Sequence, residues 1–290
     1  NRPRGTMLEF LKDLAISQLH VAWNIITALV TGSSSPWHTT HWILSMFQVR
    51  FRLTKSSARL STKPIMILSN HRSWTDFFID QVLTGGGSYL SRYMVALGVP
   101  IAATYAWLTG STWFFNRRRG ISRDWLTEFF RFNWKHIRPG AHAVIYPEGH
   151  RNLKKDSLKL KTGCLQAAYD LGTPIQVVIT TNKEHVVNEK TFHVRKGVCC
   201  VVHVSEILVP DKARFKSHAE WFEAVGPLWD KTWADAYSAN ATDEDTRTLD
   251  ELPLPGAPAP RRERCVPDRL LKLRVVMLAV LSLIAVRWMW

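Results

Sequence analysis

The chain has 290 residues, with 38 lysines and arginines against 24 acidic residues, for a formal net charge of +14. This length accommodates one catalytic domain of about 200 residues together with additional segments. The basic balance favours an anionic partner such as phospholipid headgroups, phosphorylated substrates or nucleic acid. Because the basic residues are dispersed and the sequence carries no nucleic-acid-binding motif, nucleic acid is the least favoured partner.

The chain contains four cysteines without CxxC spacing. They are Cys164, Cys199, Cys200 and Cys265. Adjacent cysteines in a strand-like run rarely pair, so four reduced thiols in a domain facing a reducing compartment are predicted. The run His-Thr-Thr-His at His38 and His41 is a weak metal signal, and solvated loop histidines are the favoured interpretation, so no structural metal is predicted.

Residues 14–49 contain no Lys, Arg, Asp or Glu, and a Gly-Ser-Ser-Ser-Pro break at 32–36 divides them. As a helix, the first half would extend about 27 Å, close to the hydrocarbon thickness of a bilayer. Its polar residues, His20 and Asn24 among them, make it a poor spanning helix. We therefore predict an N-terminal membrane-associated helical hairpin over residues 1–60, lying partly in one leaflet. A buried pair of soluble helices is the alternative.

The central region, residues 61–237, alternates between strand-like and helix-like runs. Strands are predicted over 64–69, 113–115, 141–146 and 174–180, with one or two more in 191–209. Helices are predicted over 123–136, 161–171 and 218–237. This alternation predicts an α/β domain with a mostly parallel sheet flanked by helices.

Residues 238–268 form an acidic and then proline-rich stretch, predicted to be a linker that sustains neither helix nor sheet. Residues 269–290 are predicted to form an apolar helix. The uninterrupted apolar core of this helix, residues 275–286, is only 12 residues long, short of the ~20 that a span requires. Since Arg274 and Arg287 flank this core, we predict a C-terminal membrane anchor, either a short span or half of a hairpin.

The strongest chemical signal is Asn70-His71 with Asp76 five positions after the histidine. An ideal helix separates such positions by about 140°, so pairing requires His71 on a loop and Asp76 in the first turn of the next helix. Ser73 as N-cap and Asp76 at N3 match a capping box. Asp76 would then hold one imidazole nitrogen and leave the other to deprotonate an alcohol. The alternative is that Asp76 only caps the helix.

A second segment runs from Gly110 through Phe114 to Arg117, and two more arginines follow. A strand that ends in arginines can present planar, permanently charged donors to a phosphate group. A solvated basic turn is an equally good interpretation of this segment alone.

The third segment is the hexapeptide Tyr-Pro-Glu-Gly-His-Arg at 146–151. Glu148 can accept hydrogen bonds from a hydroxyl, Gly149 allows close approach of the backbone, and Arg151 can hold a phosphate. In the fourth segment, Pro174 precedes an apolar strand and is predicted to shape the pocket, with a core role as the alternative.

Together the four segments resemble the glycerophospholipid acyltransferases typified by 1-acylglycerol-3-phosphate acyltransferase. That family's blocks are Asn-His-x4-Asp, Gly-x3-Phe-x2-Arg, usually Phe-Pro-Glu-Gly-Thr-Arg, and an apolar stretch around a proline. All four occur here in order, over about residues 60–210. One departure is His150 in place of the usual threonine, which bears on the acceptor more than on the reaction.

The resemblance implies catalytic roles for His71 and Asp76. It implies substrate-binding roles for Asn70, Gly110, Phe114, Arg117, Glu148, Gly149, Arg151 and Pro174. The implied reaction moves an acyl group from acyl-CoA, as co-substrate, to the free hydroxyl of a lysophospholipid. The best candidate acceptor is 1-acyl-glycerol-3-phosphate, and no cofactor or metal is implied.

A membrane location follows from the same resemblance, with the endoplasmic reticulum as first choice and a mitochondrial membrane as alternative. The competing hypothesis is an acyltransferase-fold accessory or structural subunit, anchored with protein partners in a larger membrane-associated complex. The linker, the Trp-rich helix at 218–237 and the C-terminal helix would then be docking surfaces.

Overall fold

The computed structural model describes residues 7–116, 122–188 and 191–289. Within these ranges the helices are α1 (Met7–Thr31), α2 (Pro36–Met46), α3 (Asp76–Leu83), α4 (Met94–Gly98), α5 (Pro100–Thr109), α6 (Arg123–Phe132), α7 (Thr162–Asp170), α8 (Lys183–Val186), α9 (His218–Ser238) and α10 (Pro267–Met289). A π-helical turn, Asn133–Ile137, extends α6.

The strands in the same ranges are β1 (Ser33–Ser34), β2 (Arg50–Thr54), β3 (Met66–Ser69), β4 (Ser88–Arg92), β5 (Thr112–Phe115), β6 (Ala143–Ile145), β7 (Ile175–Thr180), β8 (Val187–Asn188), β9 (His193–Val194), β10 (Cys199–Val204), β11 (Thr246–Thr248) and β12 (Glu263–Arg264). Eight of them form one sheet in the order β11-β2-β10-β7-β3-β6-β4-β5. The pairings β11–β2 and β10–β7 are antiparallel and the other five are parallel. The predicted mostly parallel α/β fold is confirmed.

The sheet is buried on both faces, as expected for parallel strands. Alternate residues of β3 point to opposite sides, so Ile67 joins one apolar cluster while Met66 and Leu68 join the other. The first cluster includes side chains of α1, α2 and α3. The second includes side chains of α6, α7 and α9, with Trp221 and Trp229 of α9 fully buried. The carboxyl ends of the central strands β3 and β6 therefore open at one edge between two helical layers.

The N-terminal pair of helices is anchored to this domain. α2 packs against α3 and α1 packs against α5. Trp37, Ile43 and Leu44 of α2 are buried, so the second helix of the predicted hairpin is covered largely by protein. α1 instead leaves a broad apolar face exposed, including Leu19 and Trp23.

The sheet extends beyond the predicted domain 61–237 on both sides. β2 lies before that range, and β11 lies inside the predicted linker, where it pairs antiparallel with β2. The prediction that residues 238–268 sustain no sheet is therefore wrong. Arg52 explains part of the difference, because its guanidinium donates to Thr246 Oγ1 at 2.6 Å and also bonds Asp243. The proline-rich part packs as extended chain, with Leu254 buried and its N–H donating to Leu83 O at 2.9 Å.

Candidate active site

His71 and Asp76 are paired at the carboxyl end of β3. His71 Nδ1 lies 2.7 Å from Asp76 Oδ2. The Asp76 side chain is fully buried, whereas the His71 side chain is 20% exposed. A neutral imidazole bonded through Nδ1–H to a carboxylate carries its free lone pair on Nε2. The buried acid therefore orients the ring, and the exposed ring can act as a base.

Asp76 also holds the loop that carries the histidine. Its Oδ2 accepts the backbone N–H groups of Arg72 and of Ser73, the latter at 3.0 Å. The bond to Ser73 is the carboxylate half of the predicted capping box. The helix itself begins later than predicted, with Thr75 as N-cap and Asp76 as first residue. Ser73 Oγ bonds Thr75 rather than the N–H of Asp76, so the predicted N-cap at Ser73 is wrong.

Glu148 supports the same loop from the turn that follows β6. Its Oε2 accepts the N–H of His71 at 3.3 Å, and its Oε1 accepts Asn152 Nδ2 at 2.8 Å. The backbone N–H of Asn152 in turn donates to His71 O at 2.8 Å. Glu148 is almost fully buried, and this burial raises the pKa of its carboxyl, partly offset by the bond from Asn152. The carboxylate thus braces the histidine loop, while its predicted contact with the acceptor hydroxyl is untested.

Asn70 ties the loop to the neighbouring strand. Its side-chain amide donates to Thr180 O at 2.9 Å and accepts the N–H of Thr180 at 3.0 Å. The residue is fully buried. Its two bonds join the ends of β3 and β7. Any effect of Asn70 on substrate binding, its predicted role, would therefore come from holding the histidine loop in place.

Three bonded side chains absent from the predicted site lie behind His71, and one of them, Tyr146, contacts its ring. The ring of Tyr146 stacks on the imidazole, with centroids 4.6 Å apart and planes inclined by 19°. Tyr146 Oη donates to Asp80 Oδ2 at 3.0 Å, and Lys183 Nζ lies 2.8 Å from Asp80 Oδ1. A sequence signal did exist, because Asp80 lies in the apolar run of α3 and a buried carboxylate requires a donor or cation nearby. Nothing in the sequence identified Lys183 as that partner.

Two predicted site residues lie away from the pair. Pro174 O accepts the N–H of Met66 at the amino end of β3. His71 follows the carboxyl end of the same strand, which the rise per residue of a β-strand places about 15 Å away. Gly110 ends α5 with φ +70°, and an added Cβ would lie 3.0 Å from Ile137 Cγ2. The turn into β5 therefore explains why position 110 requires glycine. This turn lies at the amino ends of the parallel strands, the edge of the sheet away from His71.

The remaining predicted residues lie nearer the open edge. Gly149 turns the chain with φ +74°, and a Cβ there would lie 3.1 Å from Lys161 Cγ. Arg151 and His150 are exposed on the loop that follows. Phe114 lies on the edge strand β5, stacked on Tyr93 with centroids 5.8 Å apart. Arg117 lies outside the described residues.

The described ranges contain no group of three His, Cys, Asp or Glu side chains placed to hold a metal ion. His38 Nδ1 bonds Ser35 Oγ at 2.7 Å, and His41 stacks on Trp37. All four cysteines are free, with Cys200 and Cys265 buried. The acid–base chemistry of the site rests on one imidazole oriented by a buried carboxylate.

Comparison with known proteins bears on both sequence and fold. Residues 50–181 match the family model described as Acyltransferase. The fold is similar to the crystal structure of the 1-acyl-sn-glycerophosphate (LPA) acyltransferase PlsC from Thermotoga maritima, with a TM-score of 0.54. Sequence identity is 14%, and the alignment covers 80% of this chain and 99% of that chain. No curated protein sequence matches this chain significantly.

Proposed function

We propose that this chain, whose residues 50–181 belong to the acyltransferase family, moves an acyl group from acyl-CoA to the free hydroxyl of a lysophospholipid. The family assignment made from the four sequence segments is confirmed, and the choice of substrates is our proposal. As acceptor we propose 1-acyl-glycerol-3-phosphate, which gives phosphatidic acid. The observation that carries the proposal is the 2.7 Å contact between a buried carboxylate and a partly exposed imidazole.

In the proposed reaction His71 Nε2 removes the proton of the acceptor hydroxyl as its oxygen attacks the thioester carbonyl carbon. A carbon–oxygen bond forms, and collapse of the tetrahedral intermediate breaks the carbon–sulfur bond. The proton held by the imidazolium then passes to the departing thiolate of CoA. Asp76 stabilises the imidazolium and keeps the ring in the required tautomer.

Basic side chains at the open edge support an anionic acceptor. The segment that follows Glu148 carries exposed Arg151, Lys154, Lys155 and Lys159. Asn152 in the same segment is bonded to the backbone of His71, so the start of this segment, with Arg151, lies next to the histidine loop. Arginine and lysine side chains bind phosphate groups through charge-assisted hydrogen bonds, which favours a phosphate-bearing lysolipid over a neutral one.

A lipid surface is the proposed setting of the reaction. Within the described ranges, α1 is the one helix long and apolar enough to cross a membrane. α10 exposes apolar residues along much of its length, including Leu278 and Leu281. The two helices are joined where Arg274 Nε donates to Leu29 O at 2.7 Å. We propose that both outer faces contact lipid from the same side of the protein. The endoplasmic reticulum, with a mitochondrial membrane as alternative, remains a prediction.

A panel of lysolipids with labelled acyl-CoA tests the proposal on membranes that carry this chain, with His71→Ala membranes as control. We expect labelled phosphatidic acid as the main product and background labelling in the control. Transfer to water alone, or equal labelling with the His71→Ala chain, would contradict the proposal. Fixed-stoichiometry co-purification with other proteins, without transferase activity, would favour the accessory-subunit hypothesis instead.

A further inference from the structure

A buried ion pair between Lys183 and Asp80 lies beneath the loop that carries His71. Lys183 Nζ is 2.8 Å and 3.0 Å from the two carboxylate oxygens of Asp80. It also donates to Ser69 Oγ and Asn70 O, each at 3.1 Å. The three ammonium hydrogens thus have three acceptors: the hydroxyl of Ser69 at the end of β3, the carbonyl of Asn70, and the carboxylate of Asp80 in α3.

Stability alone is a weak reason for this pair. Both side chains are buried, and desolvating two charges costs about as much as their attraction returns, so apolar substitutes of similar volume are often equally stable. A buried, fully bonded pair does restrict the geometry of its neighbours. The neighbours here are the two groups that flank His71: the backbone of Asn70 and the phenol of Tyr146.

Tyr146 connects the pair to the imidazole. Its hydroxyl donates to Asp80 Oδ2 at 3.0 Å, and its ring lies nearly parallel to His71 with centroids 4.6 Å apart. Burial raises the pKa of the Tyr146 hydroxyl well above 10, so the hydroxyl remains a donor at neutral pH. Lys183 Nζ lies 5.9 Å from the centroid of the same ring, over its face.

The hydrogen bond to Asp76 fixes the position of Nδ1, and the side chain itself holds the ring at Cγ. Small side-chain rotations that keep this bond still tilt the ring and move Nε2 relative to the acceptor hydroxyl. A ring stacked on one face restricts this tilt. Among the described residues no protein group bonds His71 Nε2. Phe77 lies edge-on to the imidazole with centroids 6.3 Å apart, whereas Tyr146 lies closer and nearly parallel to it, so Tyr146 is the contact that covers its face.

We propose that Lys183, Asp80 and Tyr146 form a positioning relay that fixes the plane of the His71 imidazole, with Tyr146 as its contact residue. The inference rests on the proposed role of His71 as the base. The relay acts through the orientation of the base, so its effect should appear in kcat rather than in KM. The family's third block usually has phenylalanine at this position, which supplies the ring but has no hydroxyl to bond a carboxylate.

Two substitutions separate the two contacts of Tyr146. Tyr146→Phe keeps the stacked ring and removes one hydrogen bond, and kcat should fall about three- to tenfold. Tyr146→Leu also removes the ring, and kcat should fall about 100-fold, the cost of a misplaced catalytic group. KM for both substrates should stay within about twofold of the wild-type value, since neither substitution removes a contact to bound substrate. If Tyr146→Leu does not fold, Tyr146→Phe decides alone.

Tyr89→Phe is the matched control. Tyr89 is buried beside Tyr146, with ring centroids 6.4 Å apart, but its hydroxyl has no bond to Asp80. This variant should keep wild-type kcat. A kcat for Tyr146→Phe equal to that of Tyr89→Phe would overturn the proposal, as would a loss confined to KM.

A second measurement separates this proposal from the proposed function. On the His71→Ala chain, Tyr146→Leu should cause no further loss, because a residue that acts through His71 has nothing left to position. An additional loss of tenfold or more there would overturn the relay. If His71→Ala itself retains activity, the base assignment fails first. If His71→Ala is inactive while Tyr146→Leu turns over normally, the relay alone fails.

Discussion

The buried carboxylate of Glu148 accepts the backbone N–H of His71 at 3.3 Å. The base is therefore held through its main chain by one carboxylate and through its ring by another, Asp76. Glu148 lies in the third sequence segment and Asp76 in the first, so the two segments meet at one residue.

Glu148→Gln should lower both stability and turnover. One carboxylate oxygen becomes an NH2 group that faces a donor, either His71 N–H or Asn152 Nδ2. A buried unpaired donor costs about 1–3 kcal/mol, and displacement of the loop should lower kcat by at least about tenfold. Thermal unfolding and initial rates measure the two effects. Glu128→Gln, at a surface pair with Arg131, is the control and should change stability by less than about 0.5 kcal/mol. Wild-type turnover in Glu148→Gln would show that the brace is dispensable.

Stability should decrease on acidification because of His142. The ring is 1% exposed and its Nδ1 accepts the N–H of Ile65 at 3.3 Å. Burial lowers the pKa of His142 from 6.5 to about 4. Between these values the unfolded chain binds a proton that the folded chain excludes, so the free energy of unfolding falls as pH drops from 6.5 towards 4, by about 3 kcal/mol in total.

Urea unfolding between pH 4.5 and 7.5 measures this slope. His142→Asn keeps an acceptor near Nδ1 and does not titrate, so its slope should be shallower. His136→Asn, at an exposed histidine, should keep the slope of the wild type. Equal slopes in His142→Asn and the wild type would assign the acid sensitivity to other groups.

The Lys183–Asp80 pair should behave as a buried pair in unfolding experiments. Lys183→Met leaves Asp80 without its cation and should cost about 3–5 kcal/mol. Adding Asp80→Leu should restore most of that loss, because the uncompensated charge is removed with its partner. The coupling energy from the double-mutant cycle is the decisive quantity. Additive losses in the cycle would mean that the two side chains stabilise the fold independently.

Membrane binding should depend on the exposed face of α1. Leu19 and Trp23 are 70% and 66% exposed. Burial of such a side chain in hydrocarbon stabilises binding by about 1.5–3 kcal/mol, so each substitution by serine should weaken flotation with anionic vesicles by at least about tenfold. Ile207→Ser and Val209→Ser, at exposed apolar positions in the loop after β10, are the controls. Equal flotation of α1 variants and controls would place the lipid contact elsewhere.

Local pattern explains which parts of the fold were predictable. The strands at residues 66–69, 143–145 and 175–180 are short apolar runs bounded by turn residues, and these were predicted within two residues. β2 and β11 were not, because Arg50, Arg52 and Arg247 give these two strands, at and next to the edge of the sheet, a polar pattern. Their pairing depends on residues nearly 200 positions apart, such as Arg52 and Thr246, and no local signal reports it.

The same distinction applies to the site. The His71–Asp76 pair is local, and the geometry of a loop followed by a helix turn was enough to predict it. The relay beneath it joins α3, α8 and the turn after β6, with Asp80 and Lys183 separated by 103 residues. Pro174 and Gly110 were grouped with the site through family resemblance, yet the parallel register places both at the opposite ends of their strands.

The most direct test of the account is the turnover of Asp76→Asn beside that of His71→Ala. With its amide oxygen in the place of Oδ2, asparagine keeps the acceptor for the Arg72 and Ser73 N–H groups and for His71 Nδ1–H, but it is neutral and cannot stabilise the imidazolium. We expect kcat to fall by about 10³–10⁴ in both variants with thermal unfolding close to wild type. Acyl transfer within tenfold of wild type in either folded variant would contradict the assignment of His71 as the base.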